Sequence, residues 1–332
     1  MVEVDLFCNE PLRERLNPLS LKMEVGSIIR FVLKQDLRTM LSFYQIFKIS
    51  VLSVFIALLC AIHGAAANQS IFDKEPVLFT IPDSGQEARK PEGGWCGEAV
   101  IQQALLYYGA YASQRTINRT GNPAHPDLYS NEVPAALENM GLETVAWNGE
   151  LYIPSFINWV TGWISKGYPV MVGAKIYPTQ HPEWSLDHFM LAIGFTKDSL
   201  IYNTTWNRVE EKKFGELAVV GTGLSFWSGV PVRNFGYAIT GMRGKKTDKD
   251  HKPVRVIITA RRIDQVDLTI RIEKLQKGKK YRLIKYADLI SALKMSNQKT
   301  KSEVFIAEEG SKFFKETIQI DEIRVYRCLL EK

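Results

Sequence analysis

Three side chains in this sequence have the types and spacing for nucleophilic chemistry: Cys96, His188 and Asn203. Cys96 stands between the Gly93-Gly94-Trp95 approach and a run in which Val100, Ala104, Leu105 and Tyr108 recur at helical spacing. Gly109 follows as a C-cap. The thiol is therefore expected at the first turn of a helix, where unpaired N–H groups and the positive dipole end favour thiolate. A thiolate needs a base to generate it, and the base needs a partner to fix its tautomer. Beyond residue 67, His125 and His181 each precede a proline and read as loop residues, and His251 lies in a charged stretch. His188 instead starts an apolar strand-like run, from whose end its ring can enter a cleft. Asn203 closes the next run fifteen residues on, and a hairpin would return it to the ring's far nitrogen.

Each residue also has a plainer reading. His188 alone is a satisfied strand histidine, and Cys96 alone a small buried hydrophobe. Asn203 alone is a turn residue or the glycan acceptor of Asn203-Thr204-Thr205. Together they point to a site.

The elements that must position them follow from periodicity. Phe72–Ile81 is an extended lead-in closed by Pro82-Asp83-Ser84-Gly85. Ser113 caps a helix reaching about Arg119. Ser130 caps another that runs to Asn139 and stops at Gly141, and Pro154–Lys166 forms a further helix ended by Gly167. Strands are expected at Tyr168–Ile176, Asp187–Phe195, Ser199–Asn203 and Phe235–Met242. Helices followed by an antiparallel sheet make an α+β fold, with the cysteine in one half and the histidine and asparagine in the other. Alternation along the strand sends Asp187 to the face opposite His188, so Asp187 is not taken as its orienter. Trp95, Trp184 and Trp206 flank the three motifs, as cleft walls or as core.

Trp95-Cys96-Gly97-Glu98-Ala99, the stretch Leu186 to Phe195 (LDHFMLAIGF) and Ile201-Tyr202-Asn203 resemble the motifs of papain-like cysteine peptidases. The branch they resemble most includes the bacteriocin-processing, double-glycine peptidases and their stand-alone relatives. The resemblance spans roughly residues 76–242, is specific at the three motifs and is loose between them. It implies a papain-like fold, Cys96 as nucleophile, His188 as general base and Asn203 as orienter. It also implies Gln86, at wider spacing than the family's, as an oxyanion donor beside the Cys96 N–H. The implied reaction is acyl transfer on a peptide or isopeptide carbonyl, with peptides or proteins as substrates and no cofactor or metal. No P-loop accompanies these motifs, because Gly221-Thr222-Gly223 lacks the lysine. Two alternatives stay open: a transamidase or deamidase of the same fold, and an exported binding protein without turnover.

Composition is that of a folded protein, 45% hydrophobic and 23% charged. The net charge of +6 is unevenly placed: residues 68–242 carry 12 basic and 17 acidic side chains, residues 243–332 carry 23 and 13. That shift marks a boundary near residue 243. The basic residues are interleaved with strand positions and accompany no recognition motif, so nucleic acid is not expected as a partner. Four cysteines without a CxxC pair argue against a zinc ribbon, and a Cys96–Cys328 disulfide is the rival use of the candidate nucleophile. Ile49–Ile62 is an apolar run flanked by Lys48 and an A-x-A pattern at Ala65 and Ala67, which reads as a signal peptide cleaved before Asn68. Translation from Met40 would give it an ordinary length, and an uncleaved membrane anchor is the alternative. The expected organisation is an N-terminal extension (1–67), a papain-like domain (68–242), a charged linker (243–253) and a small β-sandwich (254–332). The last is expected to be an accessory module whose removal leaves turnover intact. Oligomeric state is not legible.

Overall fold

Residues His188–Phe195 are buried at every position because the strand they form is covered on both faces. The structure is a computed structural model that describes residues 74–87, 94–121, 124–149, 152–219, 224–226, 234–244, 250–294 and 300–331. The expected signal segment and cleavage point lie outside the described residues.

The chain order is β1 (Val77–Leu78), α1 (Cys96–Tyr107), β2 (Ala110–Tyr111), α2 (Gln114–Gly121), α3 (Val133–Asn139), β3 (Leu142–Ala146) and α4 (Ile153–Ser165). Then come β4 (Val170–Ala174), β5 (His188–Phe195), β6 (Ser199–Asn203), β7 (Val209–Lys213), α5 (Phe214–Leu217) and β8 (Gly236–Met242). The remainder is β9 (His251–Lys252), β10 (Val254–Arg261), β11 (Gln265–Ile272), β12 (Lys280–Tyr286), α6 (Leu289–Leu293), β13 (Thr300–Ile306), β14 (Lys312–Gln319) and β15 (Arg324–Leu330).

The central sheet is antiparallel, in the order β3-β8-β4-β5-β6-β7, with β1 also on β5. Strand alternation divides its apolar residues between two clusters. Phe189, Leu191 and Ile193 pack with Val100, Ile101, Ala104 and Leu105 of α1. Met190 and Ala192 pack with Phe156, Ile157, Val160 and Ile164 of α4. Burying each such large side chain contributes about 1.5–3 kcal/mol, which is why α1 is held rigidly on β5. Ser113 caps α2 as its sequence suggests, the Thr116 N–H donating to its hydroxyl at 3.1 Å. At α3 the N-cap position is Glu132 rather than Ser130, and its carboxylate makes no cap bond but turns back to the preceding loop, accepting the N–H groups of Tyr129 and Ala124 at 2.8 and 3.0 Å.

The rest forms a three-stranded sheet, β10-β11-β14, and a five-stranded one, β13-β12-β15-β2 with β9 on β15. Both contribute to one apolar cluster: Val256, Leu268 and Ile270 from the first, Tyr281, Leu283, Tyr326 and Cys328 from the second. Leu106 of α1 and Tyr111 of β2 are buried in the same cluster. Of the stretch 243–253, the described residues 250–253 therefore run into these sheets. His251 and Lys252 pair with Leu329 and Cys328, and Ala110 and Tyr111 pair with Val325 and Arg324. Residues Ser70–Lys332 make one unit. Gly109 is the hinge of this junction: at φ +78° a Cβ would stand 3.0 Å from Val254 Cβ, so only glycine lets α1 close against β10. Cys96 and Cys328 are both free, so the rival disulfide is not made.

Candidate active site

Cys96 is the first residue of α1. Trp95, just before it, is buried and donates its indole N–H to Pro126 O at 3.0 Å, which fastens the helix start to the neighbouring loop. The backbone N–H groups of Phe189 and Gly97 both point at the sulfur. The Phe189 N–H belongs to the peptide that joins it to His188, so the thiol lies against the strand start that carries the histidine. Burial nonetheless pushes the Cys96 thiol up to about 12, the two N–H groups opposing and the Glu98 and Asp127 carboxylates adding to the rise. That rise runs against the thiolate that the helix position alone favours. A helix terminus supplies on the order of 1 kcal/mol, less than enclosing an anion costs.

His188 is buried, its Nε2 2.8 Å from the carbonyl oxygen of Thr204 and its ring stacked on Trp206 at 4.4 Å. A carbonyl only accepts, so Nε2 carries the proton and Nδ1 of the neutral ring keeps its lone pair. Burial holds this imidazole below its ordinary value, against the Thr204 carbonyl and the charges of Asp187 and Asp83. The ring is thus neutral at pH 7 and basic at Nδ1.

Asn203, the expected orienter, does not hydrogen-bond the ring. Its amide nitrogen donates to Ile81 O at 3.0 Å and Gln103 Oε1 at 2.9 Å, tying the end of β6 to α1. Its Oδ1 has no hydrogen-bond partner among the described residues. Complete burial also removes it as a glycan acceptor in the folded chain. The orienting contact has passed to the next residue's backbone, in a turn where Thr205 and Asn207 both hold positive φ, 68° and 62°. Such strain persists only where surroundings over-determine it. Here Asp83 does so: Oδ2 accepts the Thr204 hydroxyl at 3.3 Å and the Arg208 N–H at 3.2 Å, and Oδ1 accepts Gly85 N and Gln103 Nε2, each at 2.9 Å.

Gln86 reaches the same turn, its Nε2 donating to Thr205 Oγ1 at 3.1 Å. The Cys96 N–H donates to Gly94 O at 2.7 Å. Both expected oxyanion donors are therefore engaged within the protein at rest. Gly85 beside Gln86 has φ +62°, and a Cβ there would meet the Asn207 side chain at 2.4 Å.

Cys96 opens onto a cleft of about 380 Å³. One wall is Asp127, Leu128 and Tyr129, the other Trp184, Leu186 and Phe189. Of the two readings left open for the tryptophans, Trp184 takes the wall, Trp206 covers His188 and Trp95 is core. Glu98 fixes the first wall: Oε1 accepts Leu128 N at 3.0 Å and Asn118 Nδ2 at 2.7 Å. Burial pushes its carboxyl up to about 7, those donors opposing. A buried ion pair, Lys175–Asp187 at 3.2 Å, closes the loop that bears the second wall, Asp187 also accepting Ile176 N and Tyr177 N at 2.7 and 3.0 Å.

The cleft that Cys96 lines is thus bordered by Asp187 and Phe189, the residues either side of His188, while Gln86 bonds the turn that holds the ring and Asn203 ties β6 to α1. Sequence reasoning missed Thr204, Asp83 and Glu98. A backbone carbonyl leaves no residue-type signal, but Pro82-Asp83-Ser84-Gly85 carries the Asx-turn signature that makes Asp83 a candidate anchor.

No family model matches the sequence, and no curated protein does. Among solved structures, the chain is similar to the peptidase domain of Streptococcus ComA, a bi-functional ABC transporter involved in a quorum-sensing pathway. The identity is 15%, the match covers 46% of this chain and 97% of that one, and the TM-score is 0.32.

Proposed function

We propose that the chain is a cysteine peptidase that cleaves peptide or isopeptide bonds through an acyl-enzyme. The observation that carries this reading is the thiol at a helix start against the His188–Phe189 peptide, beside an imidazole whose proton is committed to Thr204. With the thiol high and the ring neutral, no ion pair stands ready; Nδ1 takes the Cys96 proton as sulfur attacks the carbonyl. The oxyanion exchanges places with Thr205 Oγ1 as the acceptor of the Gln86 amide, a donor worth about 3 kcal/mol in comparable sites. The imidazolium then protonates the leaving amine, and water releases the acyl group. Leu128, Tyr129, Trp184 and Leu186 suit an apolar side chain next to the scissile bond.

A mixed peptide library tests this. The native protein should cleave members of it, and Cys96→Ala and His188→Ala should not; cleavage that survives both substitutions ends the proposal. The reading as a binding protein without turnover is favoured by one observation, the burial of the Cys96 side chain. Library peptides retained intact by native protein would support that reading. Export is proposed from the apolar run at 49–62 and the A-x-A pattern after it. N-terminal sequencing of secreted protein should begin at Asn68, and an intact N-terminus would refute the cleavage.

A further inference from the structure

We propose that Arg261, on β10, is a positioning residue for Gln86, which makes the C-terminal β-rich half part of the catalytic unit. The catalytic part of this statement rests on the peptidase reading of Gln86. Arg261 Nη1 donates to Ser84 O at 3.0 Å, and Nη2 donates to Gln102 Oε1 at 2.7 Å. The same guanidinium pairs with Glu87 Oε1 at 3.7 Å. It therefore grips the short segment bearing Gln86 on both sides of that residue.

The remaining bonds of the segment lead to the same acceptors. Gln114 Nε2 donates to Gly85 O at 2.7 Å, and the Glu87 N–H donates to Gln114 Oε1 at 2.7 Å. Gln102 Oε1 also accepts Ser84 Oγ and Gln114 Nε2, each at 3.2 Å. Gln102 and Gln114 are completely buried, so the inner part of this network is closed to water, and Arg261, itself partly exposed, brings a cation to it from the C-terminal half. Within residues 83–87 the side chains of Asp83 and Gln86 turn the other way, to Thr204 and Thr205.

Strand register explains how Arg261 arrives there. Val254, Val256 and Ile258 share the face of β10 that packs into the C-terminal cluster, and odd-numbered neighbours take the other. Between Ile258 and Ala260 the pairing with β11 shifts: Ile258 faces Leu268, Ala260 faces Asp267 and Arg261 faces Val266. One extra residue inverts the alternation beyond it. Arg261 thereby joins the inner face, on the side of Gln102 and Ser84; in an unbulged strand it would lie with Arg255 and Ile257.

The test compares full-length native protein with Gln86→Ala, Arg261→Gln, Arg261→Lys and the Gln86→Ala/Arg261→Gln pair. If a library peptide is cleaved, Gln86→Ala should lower kcat about 100-fold. Arg261→Gln should lower kcat roughly tenfold with KM nearly unchanged, and Arg261→Lys should recover part of it. The pair should match Gln86→Ala to within about twofold, because the two residues act as one. An equal loss from Arg261→Gln in both backgrounds overturns the proposal. Amide hydrogen exchange gives a readout independent of turnover. Exchange over residues 83–87 should rise about tenfold in Arg261→Gln while β11 and β12 stay protected. Unchanged exchange there overturns the anchoring outright. A native protein that cleaves nothing removes the peptidase reading and with it the catalytic role of Gln86, whereas anchoring by Arg261 is then decided by exchange alone.

Discussion

Asp83 accepts the hydroxyl of Thr204 at 3.3 Å across most of the central sheet's sequence, and through it holds the carbonyl that fixes the His188 ring. The orienting role given to a single side chain in the sequence is thus divided between a backbone oxygen and a carboxylate that never touches the imidazole.

Asp83→Asn should expose that division. All four of its contacts come from donors, so an amide nitrogen on either side faces a donor. kcat should fall roughly tenfold through loss of ring placement. Asp83 also favours the imidazolium by its charge. Neutralising it should move the acidic limb of the kcat/KM profile to lower pH, and an unmoved limb would show that its field does not reach the ring.

Asn203→Ala should behave as a scaffold lesion. It leaves Ile81 O and Gln103 Oε1 without their donor in a sealed interior, a cost of about 1–3 kcal/mol. Denaturant titration should register that loss, while kcat per folded molecule falls much less than in His188→Ala. Equal losses of kcat would restore Asn203 as the orienter.

His188 sets an acid limit on stability. Its folded pKa lies below the unfolded value near 6.5, so the stability it contributes is present above that value and is lost as pH falls. Unfolding free energy should decline from pH 6.5 downward, and His188→Gln should flatten that decline.

Glu98 acts with the opposite sign. Its folded value of about 7 lies above the ordinary 4.5, so its stabilising contribution is full below 4.5 and is lost as pH rises through 7. The shift corresponds to about 3 kcal/mol at most. Glu98→Gln keeps an acceptor for Leu128 N and Asn118, and should raise stability relative to native protein at pH 8 but not at pH 5. A pH-independent difference would mean that the carboxyl titrates normally.

Removing residues 253–332 should not give the active truncation that the charged boundary suggests. It strips β2 of its partner and uncovers Leu106 and Tyr111, both buried in the C-terminal cluster. Aggregated or unfolded product is expected by gel filtration and circular dichroism; a soluble, folded fragment would refute the shared core.

The helix of Cys96 and the hairpin of His188 and Asn203 were legible because their periodicities, 3.6 and 2, coincide with buried faces and with Gly109 and the Lys197-Asp198 turn. β7 was not: Val209–Lys213 is an exposed edge strand rich in charge, and its ladder with β6 leaves no apolar signal. β2 is two residues long and gains its identity from a strand made far later. The thiol's burial was hidden for a related reason. Helix position is written in local sequence, whereas burial by Phe189 and the Asp127 loop is tertiary.

That late pairing sets an order of events during synthesis. Ala110–Tyr111 follows α1 immediately but finds its partner only when Arg324–Leu330 has been made, and Arg261 likewise emerges long after Gln86. A nascent chain on the ribosome can already have formed α1, yet it lacks the brace on the glutamine and the lining of its own second core. Contacts this distant in sequence close slowly. The cluster that buries Leu106 and Tyr111 is therefore completed only after translation has passed Arg324–Leu330.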